Sequence, residues 1–154
     1  MSWNNLTERW KDYFRSQLYL AQSMSKDENT KVGAIIIDTN SKVAVASGWN
    51  DLPRGVEHLP ERNQRPLKYL YTSHAEQSCL MNALRLGVRV NGLTMLCSMA
   101  CCTQCSASII NSGVVEVVTP PPDFSHISCG EQYMHSIAMM EESGVQWSYN
   151  LEKE

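Results

Sequence analysis

The chain has 154 residues, 43% of them apolar and 19% charged, with a formal net charge of −3. That length suits one compact domain, 1–154, able to bury a core of its own. The mild acidity and the lack of a Lys/Arg run exclude long nucleic acid as an expected partner, and no stretch approaches the ~18 apolar residues of a membrane span.

Leu6, Trp10, Tyr13, Phe14, Leu18 and Ala21 share one helical face, so 6–24 reads as an amphipathic helix with Thr7 as its candidate cap. A polar stretch, 25–30, ends it. The β-branched run 32–37 and the run 43–46 flank Asp38-Thr39-Asn40-Ser41, which is turn chemistry, and form a predicted hairpin. Residues 48–72 show no periodicity and read as a long loop, a kind often tied to function. A helix over 74–86 is closed by Gly87, and 93–97 is a strand. A helix over 102–112 is closed by Gly113. The strand 114–118 is stopped by three prolines. A helix over 131–143 is closed by Gly144, and 145–148 is a last short strand. Strands and helices alternate in the second half, which implies parallel crossovers. The predicted class is α/β: a three-layer α/β/α sandwich around a five-stranded mixed sheet.

Chemistry concentrates in two places. His74-Ala75-Glu76 opens one predicted helix, and Cys102-Thr103-Gln104-Cys105 opens another. Together they offer one imidazole, two thiolates and one carboxylate. Three N/S donors suit a Zn²⁺ that keeps its fourth position open, and Glu76 is then free to move protons. Thiolates at a helix start also gain from the helix dipole. A lone Cys-x-x-Cys is as often a redox pair or a structural half-site, but those readings leave His74 and Glu76 unused. Cys101 and Cys97 are the alternatives for a fourth, structural ligand. Cys101 is too close in sequence to Cys102 for good geometry on the same ion, and Cys97 sits in a strand as expected core. Four of the six cysteines fall between positions 97 and 105, a spacing for metal rather than for disulfides. Met1 is not followed by a basic and then an apolar segment, so no signal peptide and a cytoplasmic setting are expected.

Over nearly its whole length the chain resembles the cytidine and deoxycytidylate deaminases, the deoxycytidylate branch most closely. The stretches that carry the resemblance are Ser25-Lys26-Asp27 with Thr30 to Ile36, Gly48-Trp49-Asn50-Asp51, His74-Ala75-Glu76, and Thr94 to Ile110. The pattern H-x-E…P-C-x-x-C marks zinc-dependent nucleobase deaminases. The chain departs from it at Cys101, where proline is usual, and at Asp51, where the family motif has glycine.

The resemblance implies a cytidine deaminase-like fold and a Zn²⁺ held by His74, Cys102 and Cys105. It implies hydrolytic deamination of a cytosine nucleotide, dCMP to dUMP plus ammonia, with Glu76 as the catalytic proton carrier. The Ala75 N–H would face the pyrimidine O2 and Asn50 the sugar hydroxyl. Arg54, near Asn50, is the first choice among the loop cations Arg54, Arg62, Arg65 and Lys68 for a phosphate, and Tyr71, Phe124 and Tyr133 are candidates to cover the base. The resemblance also implies a homo-oligomer, commonly a hexamer, with dCTP or dTTP as effectors in regulated members. The alternatives are a deaminase of free cytidine or another nucleobase, and a non-catalytic module stabilised by zinc.

Overall fold

The computed structural model describes residues 1–152. Its strands are β1 (Gly33–Asp38), β2 (Val43–Trp49), β3 (Thr94–Cys97), β4 (Glu116–Val118) and β5 (Gln146–Ser148). Its helices are α1 (Glu8–Ser23), the single turn α2 (Lys68–Tyr71), α3 (Ala75–Arg85), α4 (Thr103–Ser112) and α5 (Gly130–Ser143). The predicted order holds, but a 3₁₀ turn, Trp3–Asn5, precedes α1 and β2 takes in Gly48 and Trp49 of the expected loop 48–72, whose remainder contains α2 and a second 3₁₀ turn, Pro60–Asn63. Both are too short to leave a periodic trace in the sequence. Thr7 is at the N-cap of α1, but its side chain makes no capping bond.

The five strands form one sheet in the order β2-β1-β3-β4-β5. β1 runs antiparallel to both β2 and β3, while β3, β4 and β5 are parallel. The alternation along β1 decides the layers. Ile35 and Ile37 pack with Phe14, Leu18 and Trp3 beneath α1. Ala34 and Ile36 pack on the other face with Cys79 and Leu80 of α3, Ile109 of α4 and Met140 of α5. This is the three-layer α/β/α sandwich around a mixed sheet.

The topology also fixes where helices begin. β2 and β3 both oppose β1, so they are parallel to each other. α3 follows β2 and α4 follows β3, so both helix starts lie at the carboxyl end of parallel strands, the usual position of ligand sites in α/β sheets. The start of β1 is at that end too: Gly33 pairs with Trp49, and Ala34 with Cys97. Ser98 secures the junction. Its Oγ accepts the Gly33 N–H at 2.9 Å, and its own N–H donates to Gly33 O at 3.0 Å.

Two glycines are demanded by this arrangement. Gly113 ends α4 in the left-handed region with φ 85°. Gly48 lies where β2 meets α3, and a Cβ there would stand 2.4 Å from the Cys79 backbone nitrogen. Backbone cannot swing aside as a side chain can. Gly48→Ala is therefore expected to destabilise the protein by about 1–3 kcal/mol, seen as a lower urea midpoint in equilibrium unfolding.

Candidate metal centre and its cleft

His74 is the N-cap of α3 and Cys102 the N-cap of α4, both with extended backbone (φ −69°, ψ 155°; φ −72°, ψ 171°). Neither side chain caps its own helix. Each is left free to face the other across the gap between the two helix starts. Cys105 comes one turn into α4 and Glu76 is the second residue of α3. α4 is held in place from α5: the Thr103 N–H and hydroxyl both donate to Gln132 Oε1, at 3.3 and 3.0 Å. This satisfies one of the donors that a helix start leaves open.

His74 Nδ1 lies 3.5 Å from Cys102 Sγ and 3.4 Å from Cys105 Sγ. Zinc bonds of ~2.3 Å to sulfur and ~2.0 Å to nitrogen at a tetrahedral angle require a nitrogen–sulfur separation of about 3.5 Å. The donor set and its spacing therefore fit zinc. Cys101 and Cys97 group with Glu76 instead of with these three.

The electrostatics prepare the same site. A hydrogen bond from the Cys105 thiol, helped by His74, holds the Cys102 thiol down to about 4 against the opposing effect of burial. His74 is raised in turn by its bond to that thiolate. The thiol at the start of α4 is thus biased toward the thiolate form that a metal ion binds. Glu76 is only 4% exposed, and burial pushes its carboxyl up.

A cleft opens over this centre, lined by His74, Ala75, Glu76 and Cys102 together with Asn50, Thr30 and Val32 at the start of β1. The Asn50 amide stitches the cleft wall: Oδ1 accepts the Val32 N–H and Nδ2 donates to Thr30 O, each at 2.8 Å. Arg65, Lys68 and Tyr69 line the cleft from one loop, and His126, Ser128 and Cys129 from another. His126 Nδ1 accepts the Ser128 and Cys129 N–H groups at 3.3 and 3.2 Å, so its neutral form carries the proton on Nε2.

The structure places several of the expected residues away from this cleft. Arg54 does not line the cleft. Asp51 bridges to Ser73, and within three more residues the chain has reached α3, where Arg54 Nη2 donates to Asn82 Oδ1 at 2.7 Å beside a second cavity. The cleft cations are Arg65 and Lys68. Tyr133 is buried at 1% exposure, Phe124 packs edge-on against it, and Tyr71 lies under the Arg62 guanidinium. The cleft aromatic is Tyr69. Asp27 and His126 were not anticipated. Asp27 had a signal in the Ser-x-Asp of the polar stretch 25–30, but its partner is distant in sequence.

That partner is Lys68, whose Nζ donates to Asp27 Oδ2 at 2.9 Å. Exposures of 8% and 6% make this a buried ion pair. Burial alone would raise Asp27. Hydrogen bonds from the Thr30 N–H, Lys68 and the Asn29 N–H outweigh it and leave the carboxyl below its ordinary value. Arg65 has no carboxylate partner among the described residues.

Residues 8–120 match the cytidine and deoxycytidylate deaminase zinc-binding region. The chain belongs to the cytidine and deoxycytidylate deaminase family. The family's metal is zinc, which agrees with the donor spacing. Human deoxycytidylate deaminase is 35% identical over 115 residues, covering 71% of this chain and 63% of that protein. The chain thus spans about 63% of the length of such curated relatives. An uncharacterized deaminase of Aliivibrio fischeri is 32% identical over 92% of this chain and 93% of its own. The dCMP deaminase of cyanophage S-TIM5, solved with dCMP and dUMP, has the same fold: TM-score 0.75 at 22% identity, over 94% of this chain and 98% of that one.

Lys68→Met leaves the Asp27 carboxylate buried without its cation. The expected cost near neutral pH is roughly 3–5 kcal/mol. Asp27 is depressed in the folded state, so its stabilisation is present above the ordinary value of 3.8 and is lost as pH falls through the folded value. Denaturant midpoints of wild type and variant should therefore converge on acidification. A gap that stays constant with pH would remove Asp27 from the account.

Proposed function

We propose that this chain is a zinc-dependent deaminase that converts dCMP to dUMP and ammonia. The observation that carries the reading is the His74–Cys102–Cys105 set at two facing helix starts, with the Glu76 carboxylate buried beside it. Three donors leave a fourth zinc position open, whereas a structural ion takes four protein ligands and has no use for Glu76. The names of the relatives support the substrate.

His74, Cys102 and Cys105 would hold the zinc, which when bound acidifies water to near neutrality. Glu76 takes the proton of the attacking water, delivers it to N3 of the cytosine, and then carries a proton to the departing C4 amine. A carboxyl raised by burial suits both halves of that relay. Ala75 is the first residue of α3, and its N–H has no acceptor within the helix, so it is available to the pyrimidine O2. Asn50 has one N–H and one lone pair left after its two backbone bonds, enough to orient a sugar hydroxyl.

The 5′-phosphate is assigned to Arg65. Lys68 is already neutralised by Asp27, so Arg65 contributes the uncompensated positive charge at the cleft, with His126 Nε2–H as a second donor. An oligomer in the cytoplasm is part of the same reading. β2 is an edge strand beside a cavity lined by Leu20, Met24 and Leu86, and these three are 70%, 55% and 73% exposed. None of the six cysteines is in a disulfide, which fits a reducing compartment.

Two variants test the assignment. Glu76→Gln should keep its zinc by elemental analysis and release ammonia from dCMP about 10²–10⁴-fold more slowly. Arg65→Ala should raise KM for dCMP while leaving deoxycytidine turnover unchanged. A wild-type protein that releases no ammonia from any cytosine nucleotide would falsify the proposal.

A further inference from the structure

A second group of donors lies beside the first. The Glu76 carboxylate and the Cys97 and Cys101 thiols bring their donor atoms within 4.8 Å of one another. All three are buried: Cys97 and Cys101 at 0% exposure, Glu76 at 4%. Cys97 closes β3, and Cys101 immediately precedes Cys102. The connection that brings two thiols to the zinc set therefore brings two more to the neighbouring carboxylate. Glu76 lines the cleft, which gives this buried group a route to solvent. The proposed reaction leaves both of these thiols unused.

We propose that Glu76, Cys97 and Cys101 form a second, inhibitory site for a soft divalent cation such as excess zinc or cadmium. The donor set is two thiolates and a carboxylate, the kind that selects thiophilic metals over calcium or magnesium. The first site does not repel the newcomer: Zn²⁺ with two thiolates and a neutral imidazole has no net charge. Binding is an exchange. Cys97 and Cys101 each lose an S–H proton to water as their sulfurs bond the cation, and Glu76 contributes its carboxylate. Once Glu76 is a ligand it no longer carries protons. This inhibitory consequence rests on the proposed deaminase reading; the binding itself does not.

The test counts metal. Protein holding its zinc, kept reduced without added thiols, is dialysed to equilibrium against Zn²⁺ or Cd²⁺, and total bound metal is measured by elemental mass spectrometry. Wild type and Cys129→Ser should each bind two ions per chain. Cys97→Ala and Cys101→Ala should each bind one. A wild type that stops at one ion, or alanine variants that still bind two, overturns the site. If an alanine variant does not fold, wild type alone decides. Its cadmium–thiolate ultraviolet absorption should keep rising after the zinc has been replaced, and a plateau at that point overturns the site. Filling the second site should slow ammonia release from dCMP about a hundredfold, reversibly on chelation. A second ion bound with ammonia release unchanged overturns the inhibition while leaving the deaminase reading intact.

Discussion

The close approach of His74 to Cys102 and Cys105 is the contact on which the rest of the molecule depends. Three donors from two helices must meet within 3.4–3.5 Å, and no local sequence can bring that about. The sheet does it. Because β1 is antiparallel to both of its neighbours, β2 and β3 point the same way, and the helices that follow them start at one end of the sheet. The strict backbone contact at Gly48 and the Ser98–Gly33 clasp then limit how far those starts can drift. A gap of an ångström between helix starts would turn a zinc site into a cysteine pair and a stray histidine.

The helix starts are used for chemistry at some local expense. An N-cap normally satisfies a helix donor with Ser, Thr, Asp or Asn. Here His74 and Cys102 occupy those places without capping, and in α4 the cost is offset by Gln132 from the neighbouring helix. The same economy holds around the cleft. The Asn50 amide is half committed to fixing the start of β1, and Lys68 is committed to Asp27. What stays uncommitted is the set that the proposed reading assigns to the nucleotide: the Ala75 N–H, the remainder of Asn50, and the Arg65 guanidinium.

The sequence was informative where the signal is local. The alternation at Ile35 to Ile37, the terminal glycines Gly113 and Gly144, and the spacing of His74 to Glu76 and Cys102 to Cys105 each depend on a few neighbouring residues. Their partners in space follow from the topology. The loop 48–72 was opaque for the opposite reason. It has no period, and the side chains that settle its path bond to distant elements: Lys68 to Asp27 and Arg54 to Asn82. Proximity to Asn50 in sequence made Arg54 the favoured cation, but a chain that turns away after the Asp51–Ser73 bridge carries Arg54 to α3 instead. The aromatics are likewise placed by contacts beyond their immediate sequence neighbours. Tyr133 has an apolar ring suited to stacking, and the core between α5 and the sheet claimed it. The cluster of four cysteines was legible as metal chemistry. So was the choice of Cys102 and Cys105 as the zinc pair; the placing of Cys97 and Cys101 beside Glu76 was not, because that depends on how the chain bends between Cys97 and Cys102.

The central claim is an open zinc site with two sulfur ligands. X-ray absorption on protein loaded with one zinc per chain reads the ligand set directly. The account predicts two sulfur neighbours at about 2.3 Å, with the remaining neighbours nitrogen or oxygen at about 2.0 Å. A third sulfur at the shorter zinc–thiolate distance would mean that Cys101 or Cys97 closes the site, and would contradict the account.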